Sequence, residues 1–172
     1  AQRLGAGIAA GLEVEGHRVV GRADQDGIAL LGAQLEQSGL DTAPVEAVGR
    51  DEGLLVLRGV EISTDRGHLL AYGLEDDSWN TWGRDTWLPL EDVIARITDL
   101  GGLFAPAHPY RVFGVCGLLD GLLELQGIAA VETHDGGNVD SYHELAIVAT
   151  RHMALPGLGG SDCHKVAAGG RC

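Results

Sequence analysis

Nine acidic and imidazole side chains stand out in this sequence, because most of them follow a short apolar run. They are Asp24, Asp26, Glu61, His68, His108, Glu132, His134, Asp162 and His164. A mixed set of imidazole and carboxylate donors suits Zn²⁺, Mn²⁺ or Fe²⁺. A carboxylate that bridges two such cations holds them roughly 3.5–4 Å apart, a spacing useful for hydrolysing phosphate esters. These side chains therefore predict a metal-assisted hydrolytic site.

The individual motifs are less specific than their order along the chain. Asp162 and His164 are two residues apart, a spacing that places side chains on one side of any extended segment. The sequence Ala107-His108-Pro109 is also compatible with an ordinary turn. A Glu at one strand end, a His at each of the next two and a final Asp-x-His together favour one shared site.

Short strands and helices alternate along the chain and would position these side chains. The apolar periodicity predicts helices over 1–14, 28–37, 89–100, 118–125 and 139–153, and strands over 18–22, 54–62, 68–74, 103–105 and 128–132. The short link between 62 and 68 predicts a hairpin. The recurring strand–loop–helix units predict an α/β fold with a mainly parallel sheet or barrel, whose functional residues gather beyond the carboxyl ends of the strands.

Length and composition bound the class of protein. The chain has 172 residues, 45% hydrophobic and 22% charged, which predicts a single domain over 1–172. A net charge of −13 disfavours an extended nucleic-acid surface. No run approaches the roughly 20 apolar residues of a membrane span. Three cysteines without framework spacing favour a reduced, cytoplasmic protein.

Four motifs, taken in order, resemble the motif series of the PHP (polymerase and histidinol phosphatase) superfamily. They are Gly59-Val60-Glu61-Ile62, the segment 67–73 that begins Gly67-His68, the segment Ala105-Pro106-Ala107-His108-Pro109, and Gly159-Gly160-Ser161-Asp162-Cys163-His164. Residues 23–26 resemble the family's Thr-Asp-His-Asp turn, and residues 131–138 resemble its strand-end Glu with a following Asn-containing turn. The resemblance covers essentially the whole chain.

The resemblance implies a distorted β/α (TIM-like) barrel, incomplete at both ends, with two or three divalent cations at its mouth. It implies Glu61 as the bridging carboxylate and His68 and His108 as imidazole ligands. Asp162 and His164 would complete the cluster, and His108 and Asp162 are also the catalytic candidates. Asp24, Asp26, Glu132 and His134 are weaker metal candidates. Arg111, just after His108-Pro109-Tyr110, is placed to hold a substrate phosphate, and a surface arginine in a loop is the alternative.

The function implied is metal-dependent hydrolysis of a phosphate ester of a small metabolite or nucleotide. The family's opening His-x-His motif has no counterpart here, and Gln25 stands where its turn carries a His. A PHP-like domain with impaired catalysis, kept for metal binding or structure, is therefore the alternative. An amidohydrolase-type barrel is a third alternative. Such a barrel usually has a His-x-His motif and a carboxylated lysine on a strand, whereas Lys165 follows the last motif and is in the wrong place for that role. The oligomeric state is left open.

Overall fold

The computed structural model describes residues 9–14, 17–22, 28–30, 47, 49–51, 53, 55–57, 59–74, 87–113 and 116–162. Within these ranges the strands are β1 (Ala9–Val14), β2 (His17–Arg22), β3 (Ile28–Leu30), β4 (Leu55–Leu57), β5 (Gly59–Thr64), β6 (Gly67–Tyr72), β7 (Leu103–Pro106), β8 (Val131–Asp135) and β9 (Gly157–Gly160). The helices are α1 (Leu90–Asp99) and α2 (Asp140–Met153), and Leu119–Glu124 is a 3₁₀-helix. The predicted α/β class is confirmed.

The described strands pair in both directions. β1–β2 and β5–β6–β7 are antiparallel, whereas β3–β4 and β8–β9 are parallel. The expectation of a mainly parallel sheet is therefore wrong for this part of the chain. The link Asp65–Arg66 between β5 and β6 is far too short for the crossover that parallel neighbours need. These strands form separate two- and three-stranded sheets, and barrel closure stays a prediction.

Two of the helices predicted from the sequence are strands in the part of the chain that the structure describes. Residues 9–14 of the predicted first helix form β1, and residues 28–30 of the second form β3. The described residues of the predicted strand over 54–62 belong to two strands, β4 and β5. A short apolar run is compatible with either a strand or a helix. Here β1 pairs with β2 and β3 pairs with β4, and this pairing makes both segments strands.

The predicted hairpin is confirmed, and it separates a core face from a site face. Side chains alternate along a strand, so Ile62 and Leu69 enter the core while Glu61 and His68 point to the opposite face. Ile62 and Leu69 are fully buried. Residues joining this core from other elements are Val93, Ile97, Phe104, Leu122 and Val131.

Helix α1 begins and ends as its sequence predicts. Asp65, in the hairpin turn, accepts a hydrogen bond from the backbone N–H of Leu90 at 3.0 Å, which satisfies a free donor of the first turn. Leu90, Val93 and Ile97 form its buried face. Gly101, at φ 71°, allows the chain to leave the helix and enter β7. No helix in the described part of the chain is long and apolar enough to cross a membrane.

Strand β8, helix α2 and strand β9 form a β-α-β unit with an irregularity in β8. The pairing register shifts between Glu132 and His134, so the strand continues beyond its predicted end and buries Asp135. A Cβ atom at Gly160 would collide with the carboxylate of Glu132. The glycines of β9 therefore leave room for the polar side chains of β8.

Candidate metal centre

Glu61, His68 and His108 converge at one end of the three-stranded sheet. Glu61 pairs with Leu70, which places it on the same face as His68, two residues away along β6. Beyond the end of β7, the N–H of Ala107 donates to the carbonyl oxygen of His68 at 3.1 Å, which brings His108 alongside. Oε1 of Glu61 lies 2.6 Å from Nδ1 of His68 and 3.4 Å from Nε2 of His108. One ligand atom from each residue lies within 4.8 Å of the others, which is compatible with a shared cation.

His108 carries the strongest structural signal for a ligand-binding role. It is only 2% exposed, and neither ring nitrogen has a hydrogen-bond partner among the described residues. A buried polar atom without a partner costs about 1–3 kcal/mol. Its backbone φ of 28° is also unusual for a residue other than glycine, and such strain clusters at functional sites. An imidazole beside a carboxylate and a second imidazole has the donor chemistry of a Zn²⁺, Mn²⁺ or Fe²⁺ site, so these residues fit a divalent cation.

The charge of Glu61 is set by the two imidazoles. Burial acts to raise the pKa of Glu61, but the favourable interactions of its carboxylate with the neighbouring imidazoles of His108 and His68 outweigh burial. The net effect holds the pKa well below its ordinary value. Glu61 is therefore an anion at neutral pH, as a metal ligand must be.

A second group lies next to the first and shares His108. Asp135 and Asp162 each offer an oxygen within 4.8 Å of one another and of a ring nitrogen of His108. Nη2 of Arg111 donates to Oδ2 of Asp162 at 2.6 Å and lies 3.3 Å from Oδ2 of Asp135. Nε of Arg111 donates to Oδ1 of Asn138 at 2.8 Å. The predicted phosphate-binding arginine is thus at the site, held by two carboxylates and an amide.

Glu132 supports the turn that presents His108 and Arg111. Its Oε2 accepts a hydrogen bond from the backbone N–H of His108 at 2.6 Å, and the carbonyl oxygen of His108 accepts one from the N–H of Arg111 at 2.9 Å. Burial and, secondarily, repulsion by Asp135 raise the pKa of Glu132 to about 8, against the opposing effect of that hydrogen bond. Glu132 positions His108 and belongs to neither metal-binding group found among the described residues.

In the metal-free protein, Glu132→Gln is expected to weaken the pH dependence of stability between about pH 4.5 and 8. The unfolded carboxyl titrates near 4.5 and the folded one near 8, so the folded state keeps a proton that the unfolded state loses. The contribution of Glu132 to wild-type stability therefore falls as pH rises through this window. Gln keeps an acceptor oxygen and does not ionise. Urea unfolding near pH 5 and pH 8 should show the larger relative gain for the variant at pH 8.

The matched control is Glu144→Gln, because Glu144 is exposed on α2. Its effect on the free energy of unfolding should differ less between the two pH values than the effect of Glu132→Gln. An equal effect of Glu132→Gln at both values would mean that Glu132 titrates normally in the folded protein.

The other sequence candidates have different outcomes. His134 is exposed, and its Nδ1 lies 3.1 Å from Oγ1 of Thr133, so the structure does not bring it into either group. Asp24, Asp26 and His164 lie outside the described residues. Asp162 is at the site, with a φ of 44°.

Sequence reasoning missed Asp135. Its side chain is 1% exposed, its Oδ1 accepts the N–H of Gly137 at 2.6 Å, and it faces Arg111. The sequence pattern ended this strand at Glu132, whereas the irregularity in β8 carries the buried side of the strand on to Asp135. A second carboxylate three residues after Glu132 was the available signal.

Comparisons with known proteins place this geometry in context. No protein-family model matches the chain. The 3',5'-nucleoside bisphosphate phosphatase of Chromobacterium violaceum is 34% identical over 89 residues, which are 49% of this chain and 31% of that protein. The chain therefore spans well under half of the length of this relative.

Solved structures match a larger share of the chain. A protein of Bifidobacterium adolescentis, described as a metal-dependent phosphoesterase, has a TM-score of 0.62 at 15% identity, over 83% of this chain and 79% of that one. A two-domain protein of Bacteroides vulgatus, described as containing a PHP-like metal-dependent phosphoesterase, has a TM-score of 0.58 at 16% identity, over 80% and 44%. PsfC of Pseudomonas syringae has a TM-score of 0.54 at 18% identity, over 69% and 48%.

These similarities agree with the ordered motifs and with the convergence of Glu61, His68 and His108. The resemblance predicted from the sequence is confirmed: the chain has the fold of the PHP-like metal-dependent phosphoesterases.

Proposed function

We propose that this chain hydrolyses a phosphate ester with divalent cations held by Glu61, His68 and His108. The observation that carries the proposal is the buried His108, whose ring nitrogens have no hydrogen-bond partner among the described residues although a carboxylate and a second imidazole face it. The fold of its structural neighbours supports the reaction class. Bound cations supply charge neutralisation for the phosphoryl oxygens and lower the pKa of the attacking water.

The protein side chains would bind and orient the substrate. Arg111 offers a guanidinium to the phosphoryl oxygens, where charge must be neutralised during phosphoryl transfer. Glu132 holds the turn from His108 to Arg111, so both side chains keep their places. The leaving oxygen would take its proton from a strand-end His or Asp of the site that is not bound to a cation. His164, which follows Asp162 by two residues, is proposed as a further ligand from the same loop.

The proposed substrate is a small phosphorylated metabolite or nucleotide. The matched relative is named for a nucleoside bisphosphate, which supports a nucleotide monoester as the first compound to try. A small substrate also suits the net charge of −13, which opposes long nucleic acids. We propose Mn²⁺, Zn²⁺ or Fe²⁺ as the cation and a TIM-like barrel as the complete architecture around the site.

The test uses the full chain, stripped of metal by a chelator and reloaded separately with Mn²⁺, Zn²⁺ or Fe²⁺. Release of product is measured from para-nitrophenyl phosphate, bis(para-nitrophenyl) phosphate and a nucleoside 3',5'-bisphosphate. We expect hydrolysis that depends on the added cation. Cation binding without hydrolysis of any ester in any loaded form would favour the alternative, a PHP-like domain with impaired catalysis.

A further inference from the structure

Two exposed apolar side chains directly follow Arg111 in the loop after β7. Val112 is 58% exposed, and Phe113 is 74% exposed, the largest exposed fraction among the large hydrophobic side chains of the described residues. Burying the flat apolar faces of a phenylalanine ring against another apolar group is favourable. Phe113 therefore offers apolar surface to a ligand, two residues from the arginine proposed to bind a phosphoryl group.

Both ends of the segment that contains Phe113 lie beside candidate metal ligands. Nη2 of Arg111 donates to Oδ2 of Asp162 at 2.6 Å. The carbonyl oxygen of Cys116 accepts a hydrogen bond from the N–H of His68 at 3.0 Å. Phe113 is two residues after Arg111 and three before Cys116, so its Cα lies within about 8 Å and about 11 Å of theirs. The aromatic ring is therefore close to the site.

The base of this loop is tightly packed. A Cβ atom at Gly117 would lie 2.5 Å from the carbonyl oxygen of Arg111 and 2.6 Å from that of Pro109. The N–H of Leu119 donates to the carbonyl oxygen of Pro109 at 2.7 Å, and the N–H of Arg111 donates to that of His108 at 2.9 Å. A loop held in this way loses less conformational entropy when a ligand binds to it.

The polar groups of the site contact the part that all phosphate esters share. Cations and the guanidinium of Arg111 would bind the phosphoryl group, so they do not distinguish one ester from another. Discrimination requires contact with the organic part of the ester. Small-molecule sites combine a few polar groups with apolar and aromatic side chains. Planar rings, nucleobases among them, stack on aromatic side chains.

We propose that Phe113 is a specificity-determining residue that stacks on a planar ring in the organic part of the ester. Aryl and nucleotide esters would then bind more tightly than aliphatic esters of the same charge. The inference rests on the proposed function, because Arg111 and the cations would place the ring of the ester beside Phe113. Val112 extends the apolar surface on which the ring lies.

The test compares phenylphosphonate with methylphosphonate, which share the anionic group and have no ester bond to hydrolyse. Their dissociation constants are measured by calorimetry with the full chain loaded with Mn²⁺. Wild type should prefer phenylphosphonate. Phe113→Ala should weaken phenylphosphonate about fivefold or more, the loss expected for one stacked ring, and methylphosphonate less than about twofold.

Two further substitutions separate stacking from folding. Phe113→Trp should keep the preference for phenylphosphonate. Phe113→Leu should reduce it, because leucine keeps an apolar side chain but has no flat ring. The matched control is Leu103→Ala, an apolar side chain that is 58% exposed at the end of β7 away from His108. It should leave both dissociation constants within about twofold of wild type.

Equal losses of both phosphonates in folded Phe113→Ala and Phe113→Leu proteins, or no loss of either, would overturn the proposal. A wild-type dimer that Phe113→Ala dissociates, with unchanged phosphonate affinities, would also overturn it and assign the ring to a contact between copies. In hydrolysis of para-nitrophenyl phosphate, Phe113→Ala should raise KM and leave kcat near wild type.

Failure of this inference and failure of the proposed function have different signs. A selective loss of phenylphosphonate in a protein without hydrolysis would overturn only the proposed hydrolysis. Cation-dependent hydrolysis with no selective loss would overturn only the role of Phe113.

Discussion

Replacing Glu61 with glutamine is expected to lower kcat/KM for cation-dependent hydrolysis of para-nitrophenyl phosphate by more than about 100-fold. Losing only an outer partner of a metal ligand already costs about 10–100-fold in metal affinity or activity. Glu61 is itself the anionic donor of its group, and it contacts both His68 and His108. Glutamine keeps the size of the side chain but removes the charge that two imidazoles stabilise. Steady-state kinetics with saturating Mn²⁺ measures the effect.

The control for Glu61→Gln is Glu144→Gln, which removes an exposed carboxylate of α2 and should leave kcat/KM unchanged. Thermal unfolding shows whether both variants are folded. Near wild-type activity in a folded Glu61→Gln protein would remove Glu61 from the site and with it the proposed mechanism.

His108→Ala should have the second large effect, because His108 belongs to both groups of potential ligands. The variant should lose hydrolysis and retain much less Mn²⁺ than wild type after dialysis against Mn²⁺. His68 belongs to the first group alone, so His68→Ala should retain more Mn²⁺ than His108→Ala after the same dialysis. Elemental analysis of the dialysed proteins gives the number of cations per chain.

His152→Ala, an exposed change near the end of α2, should keep the wild-type cation content. The prediction fails if His108→Ala and His68→Ala retain the same number of cations. That result would show that His108 contributes no more to cation binding than His68 does.

The sequence predicted the elements whose pattern was unambiguous. Pro89 and the glycines after residue 100 bounded α1 correctly, and the short link after Ile62 identified the β5–β6 hairpin. The helix predictions for residues 9–14 and 28–30 were wrong, because short apolar runs are compatible with either a helix or a strand. Pairing with a neighbouring strand determines which of the two forms. The mixed strand directions of the described sheets depend on long-range pairing that local periodicity does not contain.

The sequence predicted candidate site residues at strand ends, but it did not predict contacts between distant parts of the chain. Glu61, His68 and His108 were found from their order along the chain, and the structure brings all three together. Arg111 was also predicted as a site residue. Its contact with Asp162, which is 51 residues away in the sequence, was not predicted. No spacing rule joins such a pair. The burial of Asp135 depends on the irregularity in β8, which changes which side chains of this strand are buried. Local sequence patterns do not predict such an irregularity.

The most direct measurement is the anomalous X-ray signal of Mn²⁺ in crystals of the full chain. The donor atoms of Glu61, His68 and His108 should surround an anomalous peak at ligand distances, roughly 2.0–2.6 Å. The imidazole of His108 should then have the partner that its buried nitrogens lack among the described residues. A well-occupied peak elsewhere, with these three side chains bound to no cation, would contradict the account.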